Sequence, residues 1–279
     1  MDATELEKIE IRLLLDAVYQ RSGYDFREYA MASLERRCRQ FVVASGCESI
    51  SAMVPLVLHD EGFLSRLVRS FSVSVTEMFR DPFVYRALRE NVIPLLRTWP
   101  YFKIWHAGCA SGEEVYSLAI LLQEEGIYHR ANIYATDFND AVLQQAREGI
   151  YPLAALRDAT RNYQQSGGKR SLADYYHARY EAAAIDRSLM ERVTFANHNL
   201  ATDSAFGEMH LVICRNVLIY FDRTLQERVL RLLSDSLVHG GFLCVGTKES
   251  LRFQPVRDAF EPVDEPARIY KKRGEVRPA

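Results

Sequence analysis

The chain has no run of about twenty apolar residues, the length a membrane-spanning helix needs, so a transmembrane segment is not expected. It also lacks a basic and then apolar leader: the start, MDATELEKIEIR, is acidic, which places the protein in the cytoplasm with no direct membrane insertion. No Cys-x-x-Cys pair occurs. The five cysteines (Cys38, Cys47, Cys109, Cys214, Cys244) are widely spaced and odd in number, so neither a disulfide framework nor a zinc site is expected. The seven histidines show no HExxH or comparable ligand spacing, and no metal is expected. Neither sign of charge dominates, with 35 basic against 37 acidic residues, and a basic recognition surface would have to be local. There is no extended basic and aromatic surface, so nucleic acid is not an expected partner.

What is present suits one large domain with a companion. Residues 5 to 70 read as helical, with Leu6, Ile9, Leu13, Leu14 and Val18 at three-to-four spacing. The texture changes around SFSVSVTEMFRDPF, where Asp81-Pro82 marks a helix start, and a boundary falls near residue 75. From Lys103 onward, short strand-like runs (KIWHA, NIYATD, RVTFAN, HLVIC, GFLCVGT, ARIYKK) alternate with helical stretches at 112 to 125, 139 to 148 and 223 to 238. That alternation predicts parallel strands with crossover helices, a doubly wound α/β sheet. The interval at about 153–190 departs from it. Its Gly167-Gly168 turn signal and the Tyr-rich segment that follows predict an inserted small antiparallel β-unit. The expected organisation is a helical domain over 1–75, an α/β domain over 76–272 carrying that insert, and a frayed tail at 273–279.

Glycines and carboxylates concentrate after the first strand, in Gly108-Cys109-Ala110-Ser111-Gly112-Glu113-Glu114. A glycine turn at that place lets backbone approach a ligand closely. The spacing is Gly-x-x-x-Gly, without the Gly-x-Gly-x-x-Gly of a dinucleotide site or the Lys-Ser/Thr of a phosphate loop. Glu113 and Glu114 at a helix start would repel a pyrophosphate, whereas a nucleoside carrying an ammonium and a sulfonium would suit them; S-adenosylmethionine carries both. Asp137 follows Gly112 by 25 residues, at the end of the second strand, where an acid can accept hydrogen bonds from ribose hydroxyls. On the residues alone, helix capping remains an alternative for Glu113, Glu114 and Asp137.

Three segments together carry more. VTEMFRD (75 to 81), GCASGEEVYSLAI (108 to 120) and CRNVLIYFD (214 to 222), in this order, make the chain resemble the CheR family of chemotaxis receptor methyltransferases over roughly residues 8 to 270. The resemblance implies an all-α N-terminal domain followed by a Rossmann-like class I methyltransferase domain with an inserted antiparallel β-subdomain. It also implies S-adenosylmethionine as methyl donor, with S-adenosylhomocysteine as product. The implied substrate is the side-chain carboxylate of glutamates on the helical cytoplasmic domain of chemoreceptors. By the same resemblance Ser74, Thr76, Arg80, Gly108, Glu114, Asp137, Asn199, Leu200, Asn216 and Val217 would contact the cofactor, and Arg80 and Tyr220 would serve catalysis. Ser74 stands where the family commonly has Asn, and Met78 where it commonly has Phe.

A glutamate carboxylate is ionised at neutral pH and needs no general base, which agrees with the lack of a His-based dyad. Arg36, Arg37 and Arg39 lie on a predicted helix where the resemblance implies a basic face toward the receptor, although a solvated face offset by Glu28 and Glu35 gives the same pattern. The long stretch around Gly167-Gly168 favours recognition independent of a receptor C-terminal tail. A monomer is expected, the sequence itself leaving oligomeric state open. Two alternatives stand beside the leading reading: a non-catalytic module that binds S-adenosylmethionine, and a methyltransferase of this fold acting on another substrate class.

Overall fold

Asp2 starts the first helix, its carboxylate accepting from the Glu5 N–H at 2.7 Å, and Gly23 ends it in the left-handed region with its N–H on the Tyr19 carbonyl. This helix, α1 (Ala3–Ser22), is followed by α2 (Met31–Ser45), α3 (Met53–His59) and α4 (Glu61–Phe71). The computed structural model describes residues 2–71, 76–252 and 255–273, so the boundary expected near residue 75, and Ser74 with it, lies outside the described residues. The chain forms two compact units, Met1–Val73 with Leu218–Arg228, and Ser74–Val217 with Val229–Ala279. In the first, Ile11, Leu14, Leu34, Cys38, Val57 and Leu67 are buried between the helices. An edge-to-face series runs Phe71–Phe26–Tyr29–Phe221, with centroids 5.2, 5.1 and 5.0 Å apart. Residues 218–228 are thereby part of this helical unit, a junction that strand and helix periodicity did not reveal.

The second unit opens with α5 (Pro82–Ala87), a wide π-type turn at Leu88–Val92, and α6 (Ile93–Leu96). There follow β1 (Phe102–Ala107), α7 (Glu113–Glu124), β2 (Ala131–Asp137), α8 (Asp140–Glu148), β3 (Ile150–Pro152), α9 (Leu153–Gln165), β4 (Tyr176–Arg179), β5 (Ala182–Ile185), β6 (Val193–Asn197), β7 (Met209–Cys214), α10 (Arg223–Asp235), β8 (Leu237–Val245), β9 (Phe260–Asp264) and β10 (Ile269–Lys272). Seven strands form one sheet in the order β6-β2-β1-β7-β8-β10-β9. The central strands are buried on both faces, which is why FKIWHA and MHLVIC are nearly continuous apolar runs. β1 is parallel to β2 and β7, so the strand order reverses there and opens a crevice at the carboxyl ends of these strands.

Three expectations change. The last strand, in ARIYKK, is antiparallel to β8 and to β9, and β9 had no counterpart in the sequence reading. Residues 153–165 are helix, not sheet: buried Leu156, Ala159 and Tyr163 have helical spacing, and the three-stranded antiparallel sheet β3-β5-β4 takes its first strand from 150–152. Gly167 and Gly168 end that helix, their N–H groups on the carbonyls of Gln164 and Tyr163, instead of turning a hairpin.

Glu124 gathers several of the contacts that fasten the insert. Glu124 accepts from Tyr163 Oη, from Tyr175 Oη (3.0 Å) and from the Lys169 N–H (3.0 Å), and it pairs with Arg89. Both charged side chains are almost fully enclosed, at 8% exposure for Arg89 and 1% for Glu124. Arg89→Met would strand a buried anion and should cost ~3 kcal/mol in urea unfolding. A loss below about 0.5 kcal/mol would show that the tyrosines alone satisfy the carboxylate. No helix among the described residues is long and apolar enough to cross a membrane.

Candidate cofactor site

The loop after β1 is shaped by close approach. Gly108 has φ +79°, and a Cβ there would lie 2.6 Å from Val217 Cγ2; Gly112 has φ +93°, and a Cβ there would meet Ala146 Cβ at 2.9 Å. The N–H groups of Gly108 and Cys109 both donate to the Thr136 carbonyl, at 2.8 and 2.9 Å, which ties the loop to the end of β2. Asp137 completes the tie: its Oδ2 accepts from the Ala110 N–H and its Oδ1 from the Asn139 N–H, both at 3.0 Å. A carboxylate offers about four acceptor sites, so beside these donors it keeps capacity for a ribose hydroxyl. Burial raises the Asp137 carboxyl above its ordinary pKa, opposed by these backbone donors.

Strain concentrates in this crevice. Six non-glycine residues among those described have positive φ, and four lie here: Phe79 (55°), Asp81 (56°), Ala110 (48°) and Asn216 (59°). Each is fixed by hydrogen bonds. The Phe79 N–H donates to Ser117 Oγ at 2.9 Å, and the Asn216 N–H to Glu249 Oε2 at 3.2 Å. Glu249, buried at 4% exposure, also accepts from the Gly246 N–H at 2.5 Å and so joins the ends of β7 and β8.

The two glutamates at the head of α7 diverge. Glu113 turns back to accept from Ser111 Oγ at 2.7 Å, and burial raises its pKa, a local capping role. Glu114 pairs with Arg215, whose other Nη donates to Asp81 Oδ2 at 2.7 Å and to the Arg80 carbonyl at 3.2 Å. Arg80 itself, half-buried between two left-handed residues, has no side-chain partner among the described residues. Asp81 therefore belongs to Arg215 and not to Arg80. Arg215, Asp81 and Glu249 are the site residues that sequence reasoning passed over. The one visible signal was a charged residue placed directly after the apolar run HLVIC.

Gly108, Glu114, Asp137, Asn216, Val217 and Arg80 thus come together around the ends of β1, β2 and β7. Asn199 and Leu200 follow β6, whose end is joined to β2 by the His198 N–H on the Asp137 carbonyl at 3.2 Å. Thr76 is half-buried. Tyr220 lies in the first unit, where its carbonyl accepts from the Ala30 N–H at 2.9 Å and its ring lies 5.4 Å from the Arg37 guanidinium. The three helix α2 arginines differ in their commitments. Arg39 makes two bonds to Glu7 at 2.6 and 2.8 Å, and Arg37 donates to the Ser70 and Phe71 carbonyls, both at 2.9 Å. Arg36 is exposed and forms no ion pair among the described residues.

Comparison with known proteins matches residues 74–269 to the CheR methyltransferase, SAM binding domain, and residues 9–72 to the CheR methyltransferase, all-alpha domain. The chain belongs to the CheR methyltransferase family. Among its relatives, Cher3 of Pseudomonas putida is 51% identical over 264 residues, covering 95% of this chain and 97% of that protein. Chemotaxis protein methyltransferase 1 of Pseudomonas aeruginosa is 27% identical, covering 88% of this chain and 90% of its own. A chemotaxis protein methyltransferase of Listeria innocua is 27% identical, covering 82% and 85%.

The cofactor of this CheR methyltransferase is S-adenosylmethionine, and the donor set fits it. Asp137 has acceptor capacity for ribose, and Glu114 Oε2 has no protein donor among the described residues and suits an ammonium. Sheet order and the family match together give the Rossmann-like class I methyltransferase fold with its antiparallel insert and all-α N-terminal part. Among the described residues no cluster of His, Cys, Asp and Glu has a geometry for a metal ion.

Proposed function

We propose that this methyltransferase transfers the methyl group to glutamate side-chain carboxylates on the cytoplasmic helical domain of a chemoreceptor, forming methyl esters that serve sensory adaptation. The observation that carries the reading is Arg80, a guanidinium without a partner among the described residues, flanked by strained backbone beside the cofactor cradle. A free guanidinium there suits a carboxylate, by the paired geometry the two groups favour. The names of the relatives in Pseudomonas aeruginosa and Listeria innocua support chemotaxis as the setting.

When bound, S-adenosylmethionine supplies an electrophilic methyl group on a sulfonium. The substrate carboxylate is ionised at neutral pH, so the residues of the site have no proton to remove. One oxygen–carbon bond forms as one carbon–sulfur bond breaks, and a neutral ester and a neutral thioether leave the site. Charge disappears along this path, and alignment with exclusion of water is the contribution required of the protein. Arg80 orients the carboxylate. His106 fits no role as a base: it is buried, and burial lowers its pKa to about 4.

For α2 the structure supports a division of labour. Arg36 is available for an acidic receptor surface, Arg37 braces Tyr220, and Arg39 is engaged by Glu7. Arg36→Glu is expected to weaken receptor-fragment binding roughly fivefold and to flatten its salt dependence. Arg37→Met should leave that binding intact, and a matching loss would return Arg37 to receptor recognition. S-adenosylhomocysteine release that depends on added receptor fragment tests the substrate class; release at the same rate without any fragment contradicts it.

A further inference from the structure

We infer that Arg215 is the positioning residue of the cofactor site: it binds the Arg80 segment to the head of α7 and, set between the carboxylates of Asp81 and Glu114, leaves one net negative charge there for a cationic ligand. This rests on the cofactor assignment and on Glu114 as the acceptor of the ligand's ammonium. It does not depend on which substrate receives the methyl group.

The Arg215 side chain is 2% exposed, against 30% for Asp81 and 16% for Glu114. Its two Nη groups reach three acceptors on two separate segments, namely Glu114 Oε1, Asp81 Oδ2 and the Arg80 carbonyl. Its Nε is buried with no partner among the described residues. Among the described residues the guanidinium joins residues 80–81 to α7 through side-chain charge, adding to the Phe79 N–H on Ser117. One cation between two anions leaves a single negative charge at the mouth, enough for one ammonium. The other groups facing the pair are Tyr85, His106, Cys214 and Cys244, with Glu249 behind Cys214 and Cys244. Burial favours the neutral form of Tyr85, His106, Cys214 and Cys244, so none of the four replaces the guanidinium charge at neutral pH.

Without Arg215, Asp81 and Glu114 would face each other unscreened, and two carboxylates sharing a site hold a proton at higher pH than either alone. A protonated Glu114 accepts an ammonium poorly. Cofactor binding would then weaken at low pH and recover as pH rises.

The test is calorimetric titration of S-adenosylhomocysteine at pH 6, 7 and 8. Wild type should vary by less than about twofold, while Arg215→Gln should bind about tenfold more weakly at pH 6 than at pH 8, the change given by a carboxyl of the unscreened pair that keeps its proton up to about pH 7. Arg215→Lys keeps the charge and should restore the flat profile. Arg215→Gln combined with Asp81→Asn removes the second carboxylate and should also be flat; it carries the test if the single variant does not fold. Flat binding near wild type in Arg215→Gln would overturn the inference, as would an equal loss at every pH that lysine does not repair. Wild-type protein that fails to bind S-adenosylhomocysteine would overturn it together with the cofactor assignment. Wild type that binds but methylates no receptor fragment would count against the proposed substrate alone.

Discussion

Arg80→Ala is expected to lose methyl transfer by roughly a hundredfold or more while remaining folded. The magnitude follows from geometry: a reacting pair misplaced by about an ångström costs that much in a reaction driven by alignment. Fold should survive because the Arg80 backbone is held independently of its side chain, through its carbonyl on Arg215 and through its neighbours Phe79 and Asp81. The side chain itself bonds to no other described residue, so its removal strands no partner. Initial rates of labelled methyl transfer, with circular dichroism as the control for folding, measure the effect. Turnover equal to wild type would remove Arg80 from the mechanism.

The second large effect is on cofactor affinity. Asp137→Ala should weaken S-adenosylhomocysteine binding roughly thirtyfold, about 2 kcal/mol, the worth of a charged acceptor shared by two hydroxyls. The alanine variant also frees the Ala110 N–H, which now anchors a left-handed alanine, so the loop after β1 loses its tie to β2. Asp137→Asn separates the two losses by retaining an acceptor of similar shape. The pH dependence has a definite sign. The folded Asp137 carboxyl has a raised pKa, so it takes up its proton at higher pH than an ordinary aspartate and wild-type affinity falls early on acidification. Asp137→Asn should lack this acid limb. An asparagine variant with the same acid limb would place the titration on another group.

The parts of this site differed in how far they could be read from sequence, and the reasons are physical. Strands buried on both faces leave continuous apolar runs, so β1, β2 and β7 were legible from KIWHA, NIYATD and HLVIC. The glycine loop was legible because close backbone approach excludes side chains at Gly108 and Gly112. Asp137 was legible because it stands at a fixed distance beyond that loop. Strand direction leaves no such trace, and the antiparallel β10 was read as parallel for that reason. Residues 153–165 were obscured by the glycine pair that follows them, which suits a helix end as well as a hairpin. Arg215 meets partners 101 and 134 residues away, and one arginine in CRNV carries no local sign of either. Its role emerged only when the ends of α7, β7 and the 79–81 segment were brought together.

Two arginines of the site are committed differently. Arg215 is buried and paired with two carboxylates. Arg80 is half-buried and has no side-chain partner among the described residues, and in the proposed reaction it meets the substrate. Exchange of lysine for either would preserve charge and lose the fork that aligns a carboxylate.

The central claim is that the acceptor is a glutamate carboxylate. Labelled S-adenosylmethionine should be incubated with the protein and a purified receptor cytoplasmic fragment, and the fragment mapped by tandem mass spectrometry before and after mild base. The account predicts methyl groups on glutamate side chains that are released by base as methanol, and none in a reaction lacking the protein. Base-stable methyl groups, or no transfer from protein that binds the cofactor, would contradict it.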